Sequence, residues 1–99
     1  MPGYVMLMKW TSKGVADLKG VPERVKRNKE AMQKAGGKIV GVWFTMGEYD
    51  LLAIGDFPND QAASAFALSV ASQGNVTTTT MRALSEAEFA EVVAKLPAP

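Results

Sequence analysis

Seven residues of this chain carry side chains able to hold or transform a small molecule: Lys9, Trp10, Trp43, Thr45, Tyr49, Asp50 and Thr78. Lys9, Tyr49 and Asp50 could move a proton. The two indoles and the Tyr49 ring could wall an apolar, planar ligand, and the Lys9, Asp50 and threonine groups could orient it. What is missing narrows the chemistry further. The chain has no Cys and no His, which removes disulfides, thiolate nucleophiles, the commonest general base and the usual ligands of zinc and haem iron. No transition metal, haem or other cofactor is expected, and carboxylates alone would hold Mg²⁺ or Ca²⁺ only weakly. Each of these residues also has a structural reading. Trp10 and Trp43 would be core aromatics, and Asp50 would cap a turn at Gly47. Lys9 would pair with Glu48 or Asp50, and Tyr49 would rest on a partner subunit.

Those residues must be brought together by the elements around them. Tyr4–Trp10 is apolar at nearly every position, the pattern of a strand covered on both faces. Residues 11–20 connect, with a short helical turn around Val15, Ala16 and Leu18. Pro22 suits a helix start, and a first main helix runs to about Ala35, with Val25, Met32 and Ala35 on one stripe. Gly36-Gly37 ends it. Lys38–Met46 reads as the second strand, Gly47-Glu48 as the start of a tight polar turn, and Asp50–Phe57 as the third strand. Asn59 is placed to cap a second main helix from Asp60 to about Gln73, which carries scarcely a charge. Val76–Ala83 is a fourth strand rich in β-branched residues. Its threonines, Thr77 to Thr80, suit an edge strand with half the hydroxyls exposed. Ser85 and Glu88 form a capping box for a last helix, whose stripe is Phe89, Val92, Val93 and Leu96.

The order β-α-β-β-α-β plus a terminal helix predicts an α+β, ferredoxin-like fold in a single domain over residues 1–99. Strands one and three lie in the middle of a four-stranded antiparallel sheet, with both main helices on one face. A chain of this length buries roughly 65% of the surface it exposes when unfolded, enough for one modest core. The other sheet face is apolar too, so a second copy of the chain, sheet against sheet, is the expected cover.

Around the hairpin motif Gly47-Glu48-Tyr49-Asp50 stand Lys9-Trp10-Thr11, Pro22-Glu23-Arg24, Gly36-Gly37-Lys38 and Gly74-Asn75-Val76. With these motifs in this order, the chain resembles the GYD-domain family over roughly residues 3–93. The resemblance implies a dimeric α/β barrel, two ferredoxin-like subunits sharing one barrel, often within larger homo-oligomers. It brings no catalytic residues with it. The broader barrel group includes haem-degrading and cofactor-independent monooxygenases, haem peroxidase-like enzymes and muconolactone isomerase. The absence of His sets this chain apart from the haem members.

Three function classes follow. The first is a small homo-oligomeric binding or scaffold protein. The second is a cofactor-independent monooxygenase or isomerase acting on a small aromatic substrate through Lys9, Tyr49 or Asp50. The third is a binder of nucleic acid or an acidic partner. That last reading rests on charge: residues 9–38 hold nine basic residues against three acids, while residues 39–99 hold two against seven. No aromatic residue interleaves with the basic run in residues 11–38, so nucleic acid is disfavoured. No run is long enough to cross a membrane and no secretory signal is legible, so the expected home is the cytoplasm. Antiparallel pairing should gather the seven candidate residues at one end of the sheet. Adjacent strand residues point to opposite faces, so Lys9 and Trp10 cannot share a cleft.

Overall fold

A computed structural model describes residues 1–99. Strand β1 (Gly3–Trp10) is followed by a short helix α1 (Ser12–Ala16), a 3₁₀ turn (Leu18–Gly20) and helix α2 (Val21–Lys34). Strands β2 (Lys38–Phe44) and β3 (Leu51–Asp56) form the central hairpin. Helix α3 (Asp60–Ser72), strand β4 (Val76–Ala83) and helix α4 (Glu86–Ala94) complete the chain. The sheet order is β2-β3-β1-β4 and every pairing is antiparallel. This is the ferredoxin-like α+β arrangement, with β1 and β3 central and the threonine-rich β4 at an edge.

Local chemistry sets the element ends. The Thr11 hydroxyl accepts from Gly14 N–H and caps α1, and Asn59 accepts from Ala62 N–H and caps α3. Gly36, with φ of 83°, closes α2 in the left-handed conformation that glycine adopts without penalty. At α4 the capping box is complete: Ser85 Oγ accepts from Glu88 N–H, and Glu88 Oε1 accepts from Ser85 N–H. Arg82 Nη2 also donates to Glu88 Oε2 at 2.9 Å. The Ser85 amide first, and Arg82 with it, hold the Glu88 carboxyl at about 2.

The hairpin is wider than a tight turn. β2 stops at Phe44 and β3 starts at Leu51, because the residues between close a polar loop of their own. Thr45 N–H donates to the Asp50 carbonyl at 2.8 Å, and Thr45 Oγ1 donates to the Tyr49 carbonyl at 2.6 Å.

One sheet face meets α2 and α3. Tyr4, Met6, Met8, Leu51 and Ala53 project there and pack with Met32, Phe57, Ala63, Val70 and Val76. The Tyr4 hydroxyl donates to Asp60 Oδ1, and that bond, with burial, raises the phenol's pKa. The core is one-sided, since only 12 of 99 residues are buried. Helix α3, although it carries scarcely a charge, is not enclosed all round; it buries Ala63 and Val70 and leaves Leu68 exposed. Helix α4 leaves Phe89, Val92 and Val93 in solvent, and Leu96 just beyond its end is exposed as well.

Candidate functional site

The face of the sheet away from the helices carries a band of half-buried apolar side chains. Strand alternation and register place Val5, Leu7 and Lys9 of β1 there, beside Leu52 and Ile54 of β3. Thr77, Thr79 and Met81 of β4 extend the same face on one side. On the other side the register of β2 shifts between Ile39 and Gly41, leaving Val40 as an extra, exposed residue. That bulge reverses the alternation beyond it. Ile39 and Val42 both pack against the core, whereas Gly41 and Trp43 face outward. The Trp43 indole lies over Gly41, where an added Cβ would sit 2.5 Å from the ring. Trp43 is 48% exposed and Met81 44%, so two large apolar groups flank a centre of Val, Leu and Ile.

The seven candidate residues divide between the two faces. Lys9 and Tyr49 come together at the end of the open face, with the ammonium 5.2 Å from the ring centroid, a cation–π contact. Trp43 faces the same side. Trp10 and Thr78 lie on the opposite, helix-covered side. Trp10 stacks on Phe44, with ring centroids 6.4 Å apart and an 18° interplanar angle. Trp10 and Thr78 also line a cavity between the sheet and the two main helices. Thr78 Oγ1 lies 3.0 Å from Thr80 Oγ1.

Asp50 and Thr45 serve the backbone. Asp50 Oδ2 accepts from the Trp10 N–H at 2.8 Å, tying the end of β1 to the start of β3. Asp50 thus caps a strand end, while the loop around Gly47 is closed by Thr45. The residue that sequence reasoning passed over is Arg24. It counted as one of nine basic residues near the N-terminal half, yet it faces inward and lines the same cavity as Trp10. The available signal was its spacing: Val21, Arg24, Val25, Asn28 and Met32 fall on one helical stripe.

No helix is long and apolar enough to cross a membrane. The sequence also has relatives. Over 90 residues it is 29% identical to the glutamine synthetase and cystathionine beta-lyase binding protein of Thermus thermophilus, an alignment covering 90% of this chain and 95% of that protein. No solved structure matches at a significant level. The family model for the GYD domain matches residues 4–93, from the second residue of β1 almost to the end of α4. With the hairpin, the glycine-closed helix and the edge threonines all inside that span, the chain belongs to the GYD domain family.

Proposed function

We propose that the protein is a small, non-catalytic binding protein that works as a homo-oligomer, built on a dimer in which two open sheet faces pack together as a shared barrel. The observation that carries this reading is the apolar open face, centred on Val5, Leu7, Leu52 and Ile54 and flanked by Trp43 and Met81. Burying one such side chain is worth about 1.5–3 kcal/mol, so a face of this composition favours association. The exposed stripe of α4 supports the same reading, as a second apolar surface that a partner subunit would cover.

The binding role is favoured over catalysis by what the ionisable groups already do. The Asp50 carboxylate is engaged by the Trp10 amide, and Lys9 sits over the Tyr49 ring. A cofactor-independent monooxygenase or isomerase would need such groups free to exchange protons with a substrate. The partners are other proteins, as the name of the Thermus relative suggests. The exposed Lys26, Arg27 and Lys34 of α2 are the surface on which an acidic one would dock. A small planar apolar molecule at the end of the sheet, beside Lys9, Trp43 and Tyr49, is the ligand this arrangement would accept. We place the protein in the cytoplasm, which a cysteine-free chain suits.

Binding is tested by immobilising the protein and titrating purified glutamine synthetase and purified cystathionine beta-lyase. Saturable binding to at least one is expected. Binding to neither, together with turnover of a small aromatic or quinone substrate, would replace this reading with the enzymatic one.

A further inference from the structure

Between α2, α3 and the inner face of the sheet lies a cavity of about 80 Å³. A single water needs about 10–15 Å³ on the same measure, so there is room for a small organic group. The lining is mostly apolar and includes Met8, Trp10, Val25, Met32, Phe66 and Val70. Arg24 brings a fixed charge to this wall, and its side chain is only 11% exposed. Its Nη1 donates to the Asp17 carbonyl at 2.8 Å and lies 3.3 Å from Asp17 Oδ2. Its Nη2 is buried and has no hydrogen-bond partner.

A buried cationic donor without an acceptor is costly, and a guanidinium edge matches a carboxylate in both charge and shape. The neighbourhood of Arg24 is polar in the same sense. Asn28, one turn further along α2, accepts from Gln73 Nε2 at 3.0 Å, and both residues border the cavity beside Lys29. The cavity therefore has a polar, cationic end between α2 and the end of α3. Its remainder is apolar and reaches Trp10. A neutral apolar molecule would fill only that remainder and leave Nη2 without its acceptor.

We propose that this cavity is a binding site for a small amphipathic carboxylate, with the alkyl or aryl tail among Met8, Trp10, Met32 and Phe66 and the carboxylate on Arg24 Nη2. The site is on the helix side of the sheet, so it operates whether or not the open faces pair.

The test uses Trp43→Phe, in which Trp10 is the sole indole, titrated with 6-bromohexanoate and, separately, with 6-bromohexanol. The heavy atom quenches an indole that it touches. Saturable quenching by the acid is expected at a concentration about tenfold or more below that needed for the alcohol, the scale of a charge-assisted hydrogen bond. Arg24→Gln should bring the acid to the level of the alcohol, while Lys95→Gln, at an exposed position outside the cavity lining, should leave the preference intact. Equal potency of acid and alcohol, a preference that survives Arg24→Gln, or no quenching by either compound would overturn the proposal. The ratio of acid to alcohol is read with Arg24 in place, so it decides the matter even if Arg24→Gln does not fold.

Discussion

Two residues at the hairpin show how single positions set this structure. Gly47 has φ of 129° and nothing within 4 Å of the position of a Cβ, so its requirement is torsional and not one of space. Gly47→Val should therefore destabilise by about 1–3 kcal/mol, and Glu48→Ala by far less. Thermal melts of the two variants check this, and equal midpoints would mean that the loop relaxes around valine. Asp50 gives a second contrast. Its carboxylate accepts from a backbone amide, so Asp50→Ala should cost about 1–3 kcal/mol and Asp50→Asn, which keeps an acceptor, distinctly less. Denaturant midpoints measure both. An Asp50→Asn variant of native stability that had lost a chemical turnover would instead give Asp50 an acid/base role.

At the scale of elements, much of the molecule was legible because its punctuation is explicit. Val76–Ala83 is bounded by Asn75 and Leu84 as its β-branched run predicts, and the Ser85–Glu88 box opens α4. The hairpin was harder. The sequence pattern carries the second strand to Met46 and opens the third at Asp50, but the loop-closing bonds of Thr45 and Asp50 shorten both strands. The bulge at Val40 had one signal, Gly41, since an isolated glycine inside a strand often marks a bulge, but the glycine alone does not say which residue is the extra one. That one residue decides which face Trp43 occupies, and so divides the aromatic residues expected to gather. Arg24 was hidden for a similar reason: burial of a charge depends on what packs over it. The α4 cap carries its own pH signature. The Glu88 carboxyl is held at about 2, below its ordinary 4.5. A depressed folded-state value means that its stabilising contribution is full above about 4.5 and fades as pH falls towards about 2. Side-chain carboxyl NMR should show this low titration, and Glu88→Gln should remove α4 fraying from that acid window. Titration of Glu88 near 4.5 would show that the Ser85 and Arg82 contacts do not persist in solution.

The whole molecule is thin and long, 54 × 31 × 19 Å. Its radius of gyration of 15.3 Å exceeds the roughly 13 Å typical of a compact domain of this length. Two features produce that shape: a sheet covered on one side only, and an α4 that extends from β4 with its apolar stripe uncovered. Both are explained if a second chain supplies the missing layer. The direct test is the mass in solution at micromolar concentration, by light scattering coupled to size exclusion, for the native chain and for Leu7→Glu. Leu7 is central in the open face and outside the helix-packed core, so a charge there opposes pairing without emptying the core. The native protein should run as an even multiple of 10.6 kDa, and Leu7→Glu should fall towards 10.6 kDa while keeping its far-ultraviolet circular dichroism. A native chain found only at 10.6 kDa would contradict the pairing of open sheet faces.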